Sequence, residues 1–215
     1  TNTETSLPCI FSQAGRRNYD EDRIRGEQGL LDVARRAGYR VVWVDNQSGC
    51  KGVCDGVEST RPEATGQCKG GECMDEMLLA SLKQTVESTP GNLLIVLHQM
   101  GSHGPAYYER STAPFQPFKP SCDTNAIQGC SQAELINSYD NSIVYTDHVL
   151  SGLIHALQDN PKYQAGFWYL SDHGESTGEH GMYLHGAPYA IAPQQQTHVP
   201  MLMWFSTEWK AQNAQ

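Results

Sequence analysis

The chain has 215 residues, an apolar fraction of 39% and a formal net charge of −9, which suits one globular domain with a sizeable core. That negative balance excludes nucleic acid and bare anionic membrane as direct partners, because no basic stripe offsets the repulsion. No apolar stretch approaches the ~20 residues that span a bilayer, and no signal peptide stands at the start. The chain opens at Thr1 among candidate motif residues, so it reads as a piece truncated at its N-terminus and at its C-terminus.

In chain order, residues 27–37 have helical apolar spacing through Leu30, Leu31, Val33 and Ala34 and stop at Gly38. Residues 40–45 (Arg-Val-Val-Trp-Val-Asp) predict a buried strand, too short an apolar run for a helix. A second amphipathic helix is predicted over 74–87 and a second buried strand over 92–97, running into His98. Residues 132–157 predict a long helix with Leu135, Ile136, Tyr139, Ile143, Val149, Leu153 and Leu157 on or near one face. A third strand covers 165–170 and leads directly into Ser171-Asp172-His173, and a fourth covers 199–205. Helices alternating with fully apolar strands predict an α/β sheet covered on both faces. Ligands of such sheets gather at strand C-termini, where Asp45-Asn46, His98-Gln99 and Asp172-His173 all fall.

Six of the seven cysteines form close pairs, Cys50/Cys54, Cys68/Cys73 and Cys122/Cys130. Thiolate zinc sites favour C-x-x-C, which none of the pairs has; local disulfides in an oxidising compartment fit better. Loops this short contribute about 2 kcal/mol or less each. Cys9 is left over, either paired with a cysteine upstream of the chain or a buried thiol.

Asp172-His173 supplies a carboxylate and an imidazole after a buried strand, with Gly174 permitting a tight turn, and such a pair suits zinc. The plain alternative is an exposed loop with a structural histidine. Five of the eight histidines (His98, His103, His173, His180 and His185) lie in two glycine-punctuated loops, which favours the metal reading. A transfer reaction through a covalent intermediate also needs an activated hydroxyl or thiol. Thr1, Thr3, Thr5 and Ser6 offer one, although on their own they read as an N-terminal turn or helix cap.

Residues 1–12 (Thr-Asn-Thr-Glu-Thr-Ser-Leu-Pro-Cys-Ile-Phe-Ser) resemble the nucleophile segment of the bacterial phosphoethanolamine–lipid A transferases, the EptA and mobile colistin resistance (MCR) enzymes. Asp45-Asn46, Lys51-Gly52, the block 97–107, Asn137-Ser138-Tyr139-Asp140-Asn141, residues 171–175 and Tyr183-Leu184-His185-Gly186 follow in the family's order. The resemblance implies an alkaline phosphatase/sulfatase-like α/β fold, a central mainly parallel sheet sandwiched between helices, over residues 1–215. It implies Thr3 as nucleophile, six positions before Cys9, and Thr3, Asp172 and His173 as zinc ligands, with a further glutamate upstream of the chain. His103 and His185 match histidines at the substrate phosphate or at a second zinc. Lys51, Glu175, Ser48 and Gln47 match substrate-binding positions. It also implies the pairings Cys50–Cys54, Cys68–Cys73 and Cys122–Cys130, with Cys9 bonded to a cysteine just before Thr1.

The activity so implied is transfer of phosphoethanolamine from phosphatidylethanolamine to a lipid A phosphate through a phosphothreonine-type intermediate, giving polymyxin/colistin resistance. The implied setting is a monomer on the periplasmic face of the Gram-negative inner membrane, tethered by N-terminal transmembrane helices. Two other readings are a phosphoethanolamine transferase for another glycan and an inactive headgroup-binding domain. A sulfatase proper needs Arg where Ile10 follows Ser6-Leu7-Pro8-Cys9. Three departures from the family pattern stand out: Gln47, where members often have a second Asn or Gly; His180, in place of a commoner Asn; and Glu4. The last places a carboxylate beside Thr3, where it opposes an alkoxide unless it points away.

Overall fold

A computed structural model describes residues 2–62, 68–69 and 72–213, so Thr1 lies outside the described residues. The chain divides into two compact units, Thr1–Met100 and Gly101–Gln215.

The first unit contains helices α1 (Thr3–Phe11), α2 (Glu21–Gly26) and α3 (Leu30–Arg36), then strands β1 (Arg40–Asp45), β2 (Glu58–Thr60), β3 (Cys68–Lys69) and β4 (Glu72–Cys73). Helix α4 (Met77–Ser88) and strand β5 (Leu93–His98) complete it. Helix α3 ends in a Schellman arrangement: Tyr39 N–H reaches Ala34 O and Gly38 N–H reaches Arg35 O, each at 3.1 Å. This turn requires the φ of +86° that Gly38 adopts. β1 follows at once and is the centre of a parallel sheet in the order β2-β1-β5.

The unbroken apolar run of β1 is explained by burial on both faces. Val41 and Trp43 point into a cluster with Leu7 of α1 and Leu31 of α3. Val42 and Val44 point the other way, against Leu78 of α4. The pleat alternates successive side chains between the faces, so a central strand needs apolar residues at every position. The sheet register pairs Asp45 with His98, bringing the polar ends of β1 and β5 side by side.

The second unit contains α5 (Gln132–Gln158), β6 (Gly166–Leu170), β7 (Ser176–Thr177), β8 (Tyr183–Leu184), α6 (Gln194–Thr197), β9 (Met201–Phe205) and α7 (Thr207–Asn213). β6 pairs with β9 antiparallel, and so does β7 with β8. The parallel pairing of the described strands is therefore confined to β1, β2 and β5.

α5 starts at a capping box in which Ser131 Oγ accepts Glu134 N–H and Glu134 accepts Ser131 N–H. Its buried face differs from the predicted stripe. Leu135, Val149 and Leu153 are buried, but Ile136 and Ile143 are exposed, while Ser138, Asn141 and Ser142 are buried. Ser138 and Asn141 serve the loop that crosses the helix. Asn141 accepts Phe118 N–H and donates to Phe118 O, both at 2.9 Å, and Ser138 Oγ accepts Cys122 N–H at 2.7 Å. An irregular segment against a helix needs such partners for its backbone. Asn141→Ala strands both Phe118 groups, and urea denaturation is expected to show a loss of about 1–3 kcal/mol.

Three disulfides join Cys50–Cys54, Cys68–Cys73 and Cys122–Cys130. Cys9 forms none among the described residues. No helix among those residues is long and apolar enough to cross a membrane.

Candidate active site

Thr3 is the first residue of α1 and is buried. Asn2 caps the helix, its Oδ1 accepting Thr5 N–H at 3.0 Å. The polar start of the chain is thus a helix N-terminus, whose partial positive charge favours an anion beside Thr3. Glu4 is exposed, and its carboxylate lies 3.5 Å from Lys51 Nζ and 3.9 Å from Arg25. Two cations therefore balance the charge that Glu4 adds next to Thr3. Lys51 Nζ also donates to Ser48 O at 3.1 Å, and Gln47 Oε1 accepts the Ser48 hydroxyl and amide. Gln47, Ser48 and Lys51 thus form one connected turn after β1.

His98 has a structural explanation. Its Nδ1 lies 2.7 Å from Asp45 Oδ1, its register partner, and its ring packs edge-on against Trp43. Arg61 approaches the other Asp45 oxygen at 3.3 Å.

In the second unit, β6 delivers Ser171-Asp172-His173-Gly174-Glu175 in a tight connection. Gly174 N–H donates to Gln196 O, and a Cβ on Gly174 would stand 1.9 Å from Gln195 O, so only glycine fits. His173 Nδ1 donates to Gly174 O at 3.1 Å, which leaves Nε2 as the nitrogen with a lone pair. Asp172 Oδ2 lies 3.7 Å from this Nε2. It is buried and accepts no hydrogen bond among the described residues. Two ligands of a tetrahedral zinc lie about 3.3 Å apart at bond lengths near 2.0 Å, so the pair has close to the separation of atoms sharing one cation. A backbone carbonyl on the far nitrogen is also the usual support for a ligating histidine. The donor set fits zinc.

The rings of His103, His173 and His185 gather beside it, with centroids 4.1 Å apart for His173–His185 and 4.9 Å for His103–His185. His173, Glu175 and His185 also have ligand atoms within 4.8 Å of one another. Asp172–His173 is the better pair, because Glu175 is already engaged. Its Oε1 lies 2.6 Å from His185 Nδ1, and its Oε2 accepts Tyr107 O–H at 2.7 Å. Glu175, expected at the substrate, has both oxygens held within the protein.

The two histidines outside the Asp172–His173 pair are driven apart electrostatically. The Glu175 hydrogen bond raises the pKa of His185, whereas burial and then the neighbouring His185 lower that of His103. Opposite shifts on adjacent groups suit one to donate and the other to accept a proton. Tyr107 was not singled out from the sequence. Its place in the block 97–107 was the only signal that pointed to it.

The family model for sulfatases matches residues 1–215, and the chain belongs to that family. Within it the chain is similar to phosphoethanolamine transferases. It is 49% identical to phosphoethanolamine transferase EptA of Salmonella typhimurium, over 98% of this chain and 39% of the relative. It is 40% identical to phosphatidylethanolamine transferase Mcr-2 of Escherichia coli, over 95% of this chain and 40% of the relative. The solved structure of the integral membrane protein lipooligosaccharide phosphoethanolamine transferase A from Neisseria meningitidis matches with a TM-score of 0.95 and 45% identity, over 99% of this chain and 40% of that one. The chain thus spans about two fifths of the length of these relatives.

Proposed function

We propose that this chain carries the catalytic groups of a zinc-dependent phosphoethanolamine transferase that moves the group from phosphatidylethanolamine to a lipid A phosphate. The observation that carries the reading is Asp172 Oδ2, buried without a hydrogen bond among the described residues and facing His173 Nε2, in a chain similar throughout to transferases of this kind. Asp172 and His173, with Thr3, would hold the zinc. Bound there, the metal supplies Lewis-acid stabilisation of negative charge and favours ionisation of a nearby hydroxyl.

Thr3 Oγ1 attacks phosphorus; the new O–P bond forms as the bond to the diacylglycerol oxygen breaks, and diacylglycerol leaves carrying a proton. A lipid A phosphate oxygen then attacks the phosphothreonine-type ester, and the P–O bond to Thr3 breaks to restore the hydroxyl. The N-terminus of α1 stabilises the charge that develops on the phosphate beside Thr3. His185, with Nδ1 on Glu175, turns Nε2 outward to hold a phosphate oxygen or pass a proton, and His103 serves beside it. Lys51, with Gln47 and Ser48, binds the anionic phosphate of the headgroup. The Cys50–Cys54 disulfide braces the turn that bears Lys51. Lys51→Ala is expected to raise KM for a phosphatidylethanolamine analogue about tenfold or more, as loss of a charge-assisted contact does; steady-state kinetics check this.

The proposed setting is the periplasmic face of the inner membrane, where disulfides persist, with polymyxin/colistin resistance as the consequence. Sulfuryl hydrolysis is disfavoured by Ile10, which stands where a sulfatase segment needs arginine. Mass spectrometry of lipid A from cells expressing the full-length protein tests the proposal. Lipid A carrying one added phosphoethanolamine is expected. Unmodified lipid A beside a modified glycan would move the acceptor elsewhere, and no modification of either would overturn the reaction.

A further inference from the structure

Glu175 is 7% exposed and Tyr107 only 1%, yet neither polar group is wasted. Tyr107 O–H donates to Glu175 Oε2 at 2.7 Å and His185 Nδ1 sits 2.6 Å from Oε1. A carboxylate only accepts, so Nδ1 carries a proton whether the ring is neutral or charged, and Nε2 is the nitrogen left for the ligand. The Tyr107 ring is tightly enclosed. A Cβ on Gly104 would come within 2.6 Å of its Cζ and Oη and 2.7 Å of Leu184 Cδ2. Tyr139 packs edge-on at 5.4 Å, and Cys122, Ile127 and Leu135 complete the cluster. Burial, followed by the charge of Glu175, drives the phenol pKa far upward, so the hydroxyl stays a donor at any physiological pH.

We infer that Tyr107 is a positioning residue for the transfer reaction. Its hydroxyl fixes the Glu175 carboxylate in the rotation that receives His185 Nδ1–H, which sets the His185 tautomer and aims Nε2 at the ligand. This rests on the reading of His185 as a group acting at the phosphate. A carboxylate held by one partner alone swings about its last torsion, which is broad and roughly two-fold. The second partner removes that freedom. A phenol present only to fill the interior would support stability and leave the imidazole indifferent to its hydroxyl.

The test is Tyr107→Phe in the full-length protein, with His185→Ala alongside. Outer partners of this kind change activity by about 10–100-fold when removed. The expected result for Y107F is a fall in kcat of that size with KM within about threefold. ¹⁵N histidine NMR should show His185 moving from a single Nδ1–H tautomer to a mixture. If Y107F fails to melt cooperatively, Glu175→Gln replaces it, because the amide NH₂ directed at Nδ1 should force the opposite tautomer with a similar loss of kcat. Turnover lost in H185A but retained in Y107F, with the tautomer unchanged, overturns the inference alone. Turnover retained in H185A overturns the reading of His185 and the inference with it.

Discussion

Thr3→Ala is expected to lower turnover of a phosphatidylethanolamine analogue by about 10,000-fold or more while leaving the fold in place, since a missing nucleophile has no substitute in a covalent mechanism. Thr3 is the first residue of a nine-residue helix whose cap is supplied by Asn2 rather than by its own side chain. Alanine is the best helix former, so the backbone there needs nothing that alanine lacks. The unfolding free energy should fall by no more than a buried hydroxyl is worth, about 1 kcal/mol. Thr3→Ser keeps the oxygen and should retain measurable turnover. Equal loss in both variants would assign the effect to packing.

Asp172→Asn is expected to act with opposite signs on the loaded and the metal-free protein. With one anionic ligand gone, zinc content should fall at least about tenfold and turnover at least about a hundredfold. Chelation of the parental protein should give the same loss, restored by added zinc. In metal-free protein the sign of the effect reverses. Asp172 Oδ2 is then a buried charged oxygen with no hydrogen bond among the described residues, which costs about 1–3 kcal/mol. The metal-free variant should therefore unfold at a higher denaturant concentration than the metal-free parent. Destabilisation of both forms would make Asp172 a structural residue.

The sequence carried those parts of the fold that arise from local patterns. Residues 40–45 had to be a central strand because Val41, Val42, Trp43 and Val44 leave neither face polar. The helix predicted from residue 132 begins there because Ser131 and Glu134 form a capping box. β2 was missed because Glu58-Ser59-Thr60 is an exposed edge with no apolar alternation to detect. α1 was hidden by its polar opening and by Pro8, which breaks the helical pattern one turn from its end. Ser138 and Asn141 lie outside the apolar stripe predicted for α5. Their burial depends on a loop around Phe118 and Cys122, which no periodicity in the helix encodes.

The site divides along the same line. Asp172, His173, His103 and His185 stood out because histidines after strands and between glycines are rare without a purpose. The pairings that hold the polar groups in place did not. Tyr107 meets Glu175 across 68 residues, and His98 meets Asp45 across 53, so each pair exists only once the chain has folded. The same distance explains Glu4, whose charge looked adverse beside Thr3 until Lys51 and Arg25 were placed against it.

The central claim is that phosphoethanolamine passes through Thr3. Peptide mass spectrometry of the full-length protein, quenched after incubation with phosphatidylethanolamine in the absence of acceptor, tests it most directly. The expected result is one phosphoethanolamine on the peptide containing Thr3, absent in T3A and discharged when lipid A is added. An adduct on another residue, or brisk transfer in a T3A variant with no adduct, would contradict it.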